Sequence, residues 1–428
     1  MHIHIIGIAG SMAAPLAIAL KKSGHEITGS DQDNIFPPFS TQLKKAKIPI
    51  NHQQINRNID LVIVGSSYKS FSRTREEYEK TRELNIPYIS ATKYLAKMLT
   101  KKNSIVVAGS FGKTTTTAAL VYCFKKHHLN PAYMFGGQAI NAIPSLNFSN
   151  SDWSIIEGDE SINGLDVKAK FLYYPVKYLI LTSVNWEHKE SYTSATENLK
   201  AFQKLINSLP KNGLIIYNPQ DKQIPPLLLS AKCPTIPYKP IKFKSQLIGD
   251  YNLQNLGAVF TLCQKLLLNT QITQNALTDF KGIKRRAEIL FQNQNNIFID
   301  DFSQSAKRIE ATIKTIIKHY PQKKIKVFYE SHASFMQHPD SIKQLAKALE
   351  LSSETVIYKL NFNHKYKIRL TAKDYLKIIP HSFYLPLPID VLNHYQKTLK
   401  KNEILVHFSS GGQEGLNIFK KVINYFKK

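Results

Sequence analysis

Short apolar runs alternate with longer stretches of helical spacing along the whole of this 428-residue chain. His2–Ile6, His25–Gly29, Asp60–Ser66 and Ile86–Ser90 read as strands, and Met12–Ser23 repeats apolar residues as one face of a helix does. The rhythm returns with strands at Ile105–Ala108, Trp153–Ile156, Tyr178–Val184 and Gly213–Tyr217, and with helices at Lys113–His128 and Leu256–Leu268. It returns again at Ile297–Ile299, Ile325–Tyr329, Thr355–Tyr358 and Glu403–Phe408. Strands that stay apolar are covered on both faces, and strands that alternate with helices form parallel sheets. The pattern predicts an α/β protein of three domains, residues 1–98, 99–284 and 285–428, with about five strand–helix units in the first. Pro37 and Pro38 stiffen a loop into a helix for which Ser40 or Thr41 is the expected cap.

One stretch ties this pattern to chemistry. The strand Ile105–Ala108 runs into Gly109 and Gly112, then into a helix opening with Lys113, Thr114 and Thr115. Glycines let backbone N–H groups converge on anionic oxygens, and a helix N-terminus adds positive potential. Lys113 supplies a point charge for a terminal phosphate of ATP, and Thr114 a hydroxyl for Mg²⁺. Val107 stands where the strict G-x-x-x-x-G-K-[ST] motif has its first glycine. A solvated turn is the bland alternative, and the strand before and helix after favour the cradle.

Other candidates lie at strand ends, where an open parallel sheet places its ligand crevice. Glu157 closes one strand, and Mg²⁺ takes one or two carboxylates beside substrate phosphates. His188 follows another strand; taken alone, it reads as surface. Gly7, Gly10 and Ser11 form a glycine turn after the first strand, with Asp31 about twenty residues on, as in a Rossmann-like nucleotide site. Asp31 can equally cap a loop. Ser66 ends a third strand among small residues.

Charge changes this picture little. The net charge is +26, yet the lysines are spread along the whole chain, which favours a solvated surface over a nucleic-acid site. No apolar run is long enough to span a membrane, and the N-terminus lacks the features of a signal peptide, so a cytoplasmic protein is expected. Cys123, Cys233 and Cys263 have no metal-like spacing and read as reduced thiols.

Gly109-Ser-Phe-Gly-Lys-Thr-Thr-Thr116 resembles the shortened Gly-Thr/Ser-His-Gly-Lys-Thr-Thr loop of the Mur ligases, the ATP-dependent amide-forming enzymes of peptidoglycan assembly, with Phe111 in place of the usual His. Ile156-Glu-Gly-Asp-Glu-Ser161 resembles the family's Glu-Ala/Gly-Asp-Glu, whose first Glu binds Mg²⁺. Asn185-Trp-Glu-His188 resembles its segment ending Asp-His, whose His binds a second Mg²⁺, with Glu187 for the Asp. Gly249–Asn255 is similar to Gly-x-His-Asn-x-x-Asn, where an Asn contacts adenine. Tyr251 replaces the His there, and helix capping explains Asn252 or Asn255 equally well. Arg286 and Glu288 sit where the family has Arg-x-Glu, an Arg for ATP phosphate. Asp300-Asp301-Phe302 resembles its ribose-contacting Asp-Asp-Phe/Tyr, although Ser303 and Gln304 then depart from it. Glu330-Ser-His332 and the glycine turn at Gly412 resemble stretches facing the incoming amine.

The resemblance implies three parts: a Rossmann-like UDP-binding domain, a central ATPase-type parallel-sheet domain, and a C-terminal Rossmann-like domain for the amine. It implies small-molecule substrates, a UDP-sugar and a peptide or amino acid, no nucleic-acid partner, and a monomer or weak dimer. Ile3–Gly7 and Phe36–Thr41 look most like the branch joining UDP-N-acetylmuramate to the tripeptide L-alanyl-γ-D-glutamyl-meso-diaminopimelate. The sister branch uses L-alanine. A nucleotide-binding protein without ligase turnover is the alternative of another class. Lys113, Glu157 and His188 are the expected catalytic core.

Overall fold

The computed structural model describes all residues except 33–34, 36–38, 52–53, 167, 187–190, 304, 332–338, 361–370, 410–412 and 428. The chain forms two compact units, Met1–Ile283 and Lys284–Lys428.

The first unit opens with a parallel sheet of β1 (His2–Ile6), β2 (Glu26–Ser30), β3 (Leu61–Val64) and β4 (Tyr88–Ser90), in the order β2-β1-β3-β4. Its helices are α1 (Ala13–Lys22), α2 (Phe39–Lys45), α3 (Ser72–Glu83) and α4 (Ala91–Leu99). Among the described residues the sheet has four strands where the sequence suggested about five units. Beside β2, Ile50 meets Gly29 as an isolated bridge. Ser40 and Thr41 lie inside α2, which opens at Phe39, so they do not cap it.

The second sheet contains β5 (Asn103–Ala108), β6 (Ala132–Met134), β7 (Leu146–Asn147), β8 (Trp153–Gly158), β9 (Tyr178–Leu181), β10 (Leu214–Tyr217) and β11 (Thr235–Pro237). Its order is β11-β10-β9-β5-β8-β6-β7, parallel except for β6–β7. Here α5 (Lys113–Lys126), α6 (Ala195–Asn207), α7 (Ile224–Leu228), α8 (Asp250–Lys265) and α9 (Thr270–Asp279) follow. Register decides what meets at the sheet's carboxyl edge. Val107 pairs with Glu157 on one side, and Ala108 pairs with Leu181 on the other. The loop after β5 therefore emerges between Glu157 and the turn after β9.

Helix α8 starts six residues before the predicted Leu256. Gly249, at φ +97°, takes the cap position, and Asp250 complements the helix dipole in the first turn. Asn252 and Asn255 are thus buried first-turn and second-turn residues, not caps. One apolar cluster joins Ile5, Leu16 and Leu95, from the first sheet and its helices, to Phe171, Leu181 and Leu205, from the second sheet and its surroundings, which makes residues 1–283 one body.

The second unit is a sheet of β12 (Glu288–Gln292), β13 (Asn296–Asp301), β14 (Lys324–Ser331), β15 (Glu354–Leu360), β16 (Ser382–Tyr384) and β17 (Glu403–Ser409), in the order β12-β13-β17-β14-β15-β16. All pairs are parallel except β12–β13. Helices α10 (Ala306–His319), α11 (Pro339–Leu349), α12 (Ala372–Ile378), α13 (Pro388–Thr398) and α14 (Gln413–Phe426) complete it.

Candidate active site

The site grows from the end of β5. Gly109 and Gly112 adopt φ +138° and +82°, conformations that side chains disfavour. The space where a Cβ at Gly112 would sit is taken by the Asn255 side chain from α8. The loop is pinned to the turn after β9. Ser110 N–H donates to the Ser183 carbonyl at 3.1 Å, and Phe111 N–H donates to Ser183 Oγ at 2.9 Å. Thr182 Oγ1 donates to the Phe111 carbonyl at 2.5 Å, and Ser110 Oγ donates to the Asn185 carbonyl at 2.7 Å. These bonds hold residue 111 by its backbone and by neighbouring hydroxyls, so the loop's course does not depend on a histidine side chain there.

Helix α5 begins at Lys113, and its first-turn N–H groups have no partner within the helix. Thr114 and Thr115 lie in the same turn. Lys113 Nζ donates to the Gly109 carbonyl at 2.5 Å and pairs with Glu160 Oε2 at 2.8 Å. Thr114 Oγ1 donates to Glu157 Oε1 at 2.8 Å, while Glu157 Oε2 accepts the Gly136 N–H at 2.6 Å. Asp159 pairs with Lys170 at 2.8 Å.

Electrostatics follow from burial and these pairings. Burial works against the Lys113 charge, but Glu160, Asp159 and Glu157 outweigh it and hold its pKa above the usual lysine value. Burial pushes Glu157 up, against the pull of the Gly136 N–H, Lys113 and Thr114. Burial also opposes the Asp159 charge, yet Lys170 and Lys113 hold that carboxyl far below the usual range. Three carboxyl groups thus face two ammonium groups.

This donor set fits Mg²⁺. Thr114 and Glu157 present hard oxygens in mutual contact at the end of β8. Among the described residues no group of three or more His, Cys, Asp or Glu forms a closed metal cage.

Asn252 Nδ2 donates to the Ile248 carbonyl at 2.8 Å, and Asn255 Nδ2 reaches Asn252 Oδ1 at 3.5 Å, so the two amides form a buried chain ending against Gly112. On the first sheet, Gly7 (φ +75°), Gly10, Ser11, Asp31 and Ser66 gather at the carboxyl ends of β1, β2 and β3. Asp31 Oδ2 accepts the Ala9 N–H at 2.7 Å, clasping the glycine turn from within, and Asp31 itself is buried. In the second unit, Arg286 Nη1 donates to the Phe302 carbonyl at 3.0 Å. Asp301 Oδ2 accepts the Ala287 N–H at 2.7 Å, and its other oxygen accepts from Ser303 Oγ. Burial raises the Asp301 pKa despite the opposing pull of Ser303, Arg286 and the Ala287 N–H. Glu288 accepts the Arg285 N–H at 2.8 Å. His188, Glu187, Gln304, His332 and Gly412 lie outside the described residues, as do Phe36, Pro37 and Pro38.

Sequence reasoning missed Gly136, Glu160, Lys170, Thr182 and Ser183. Two adjacent glycines, Gly136 and Gly137, mark a turn, but only strand register shows that Gly136 faces Glu157.

A family model described as "Mur ligase family, catalytic domain" matches residues 2–103. A UDP-N-acetylmuramate–L-alanine ligase of Wigglesworthia glossinidia brevipalpis is 26% identical, over 98% of this chain and 96% of its own. The structure of a UDP-N-acetylmuramate-alanine ligase from Thermotoga maritima superposes with a TM-score of 0.79 at 21% identity, covering 100% of this chain and 99% of the other. The UDP-N-acetylmuramate:L-alanyl-γ-D-glutamyl-meso-diaminopimelate ligase of Neisseria meningitides is 25% identical with a TM-score of 0.59, covering 66% of this chain and 99% of the other.

Proposed function

We infer the reaction from one premise: this chain belongs to the Mur ligase family. It is an ATP-dependent, ADP-forming ligase. We propose that it joins the carboxylate of UDP-N-acetylmuramate to the tripeptide L-alanyl-γ-D-glutamyl-meso-diaminopimelate in peptidoglycan recycling, in the cytoplasm. In this assignment residues 1–98 hold the UDP-sugar, 99–284 the ATP, and 285–428 the amine.

The observation that carries the reading is the double pairing at the end of β5, Lys113 with Glu160 and Thr114 with Glu157. Such a cradle positions a terminal phosphate and neutralises its charge. The first-turn N–H groups of α5 take phosphate oxygens, and the Lys113 ammonium moves from Glu160 to the γ-phosphate. Asn252 and Asn255 face the nucleotide base. Thr114, Glu157 and His188 would hold Mg²⁺, which would supply further charge neutralisation. The sugar's carboxylate oxygen attacks the γ-phosphorus as the bond to ADP breaks. The amine then attacks the acyl carbon and phosphate leaves, giving the amide. Gly7, Gly10, Ser11, Asp31 and Ser66 orient the UDP-sugar, and Arg286, Asp301, His332 and Gly412 are assigned to nucleotide and amine.

The tripeptide is supported by the resemblance of Phe36–Thr41 and by likeness to the Neisseria enzyme. L-Alanine is the second reading, supported by the names of curated relatives at 26% and 28% identity. Incubation with ATP, UDP-N-acetylmuramate and each amine in turn separates them. Tripeptide-dependent ADP release is expected, and release with L-alanine alone would move the assignment to the sister enzyme.

A further inference from the structure

Residues 157–160 crowd three carboxylates into one short stretch at the end of β8. Glu157 takes Thr114, and Glu160 takes Lys113. Asp159 is committed elsewhere. Its Oδ2 lies 2.8 Å from Lys170 Nζ, which also donates to Ser161 Oγ at 2.8 Å. Ser161 in turn donates to Asp159 twice, from N–H to Oδ1 and from Oγ to Oδ2, each at 2.9 Å. The short helical turn Lys170–Tyr173 is folded back on the acidic stretch by main-chain bonds: Phe171 N–H to the Asp159 carbonyl at 2.9 Å, and Lys170 N–H to the Ser161 carbonyl at 3.0 Å. Lys170 is only 8% exposed. A lysine this buried serves a defined partner rather than solvent.

We propose that Lys170 is a positioning residue for Lys113: by holding Asp159, it leaves Lys113 bound to a single carboxylate that the nucleotide's terminal phosphate replaces. This rests on the reading of Lys113 as the phosphate-binding lysine. Asp159 is adjacent in sequence to Glu160, the carboxylate that already grips Lys113. Even a half-buried carboxylate such as Asp159, stripped of its cation, turns to the next one within reach. Without Lys170 that cation is Lys113, and an ammonium clamped by two carboxylates exchanges poorly with a phosphate. With Lys170 in place, ATP binding is a one-for-one swap of Glu160 for phosphate.

The test compares Lys170→Gln, Lys170→Arg and the double variant Asp159→Asn/Lys170→Gln with the wild type. Nucleotide affinity is read by fluorescence titration with ATP alone, with thermal unfolding as the check on folding. Lys170→Gln is expected to weaken ATP by roughly tenfold, a coupling typical of neighbouring charges, and the double variant to recover most of it. Lys170→Arg is expected to stay within about threefold, since it keeps the cation. In turnover assays the KM for the UDP-sugar should not move. Wild-type affinity in Lys170→Gln, or a double variant no better than the single one, would overturn the proposal. If Lys170→Gln does not fold, the double variant and Lys170→Arg still decide. The titration needs no amide formation, so a wild type that binds ATP without ligating would refute the proposed reaction and leave this test intact.

Discussion

At Gly112, a φ of +82° and the Asn255 side chain both exclude a Cβ. Gly112→Ala should therefore cost about 1–3 kcal/mol of stability through backbone strain, and it should weaken nucleotide binding by displacing Asn255. Chemical denaturation and ATP titration check the two effects separately. Lys113 raises a different question, because it is both the proposed phosphate ligand and the ion-pair partner of the buried Glu160. Lys113→Ala should lower amide formation by about 10³-fold or more. It should also cost roughly 3 kcal/mol of stability, because Glu160 loses its cation. Adding Glu160→Gln should restore the stability and none of the activity, as read by urea unfolding beside a turnover assay. Lys113 and its glycines were legible in the sequence because a phosphate cradle is contiguous. Glu160 and Gly136 were not, since their partners lie 47 and 21 residues away and only register brings them together.

Elements repeat this contrast. Strands β5, β8, β9, β13, β14, β15 and β17 were visible as unbroken apolar runs because a parallel sheet buries both faces. The edge strands β12 and β16 escaped because they are short and their residues are half-exposed or exposed. The start of α8 was misplaced because Gly249 terminates the preceding loop by its φ, which composition does not reveal. In the second unit, β15 is tied to its neighbours by charge as well as by its ladder. Glu354 accepts from Lys326 at 3.1 Å and meets His394 at 2.9 Å. Burial would raise the Glu354 pKa, yet His394 and Lys326 outweigh it and the value falls below the usual glutamate range. A carboxyl lowered on folding contributes stability above its unfolded pKa and loses it as pH falls through its folded value. Glu354→Gln should thus destabilise the protein at pH 7, by roughly 3 kcal/mol. The gap to wild type should close on acidification through and below the ordinary carboxylate range. Urea denaturation across that pH window is the check, and a gap that stays constant would show that charge is not its origin.

At the scale of the whole molecule, a net charge of +26 coexists with a candidate site in which carboxyl groups outnumber ammonium groups three to two. The lysine excess is distributed, whereas the site's charges are placed, and only the placed ones bear on catalysis. No described helix is long and apolar enough to cross a membrane. His332 and Gly412, the residues proposed to face the amine, lie outside the described residues. The central claim is narrower than the choice of amine: the β5 cradle activates a sugar carboxylate by phosphorylating it. UDP-N-acetylmuramate labelled with ¹⁸O in its lactyl carboxylate tests this directly, with ATP and the amine present. Attack by that carboxylate on the γ-phosphorus must carry its oxygen into the released inorganic phosphate, so labelled phosphate is the predicted product. Phosphate released without the label, or ADP formed at the same rate when the sugar is omitted, would contradict the account.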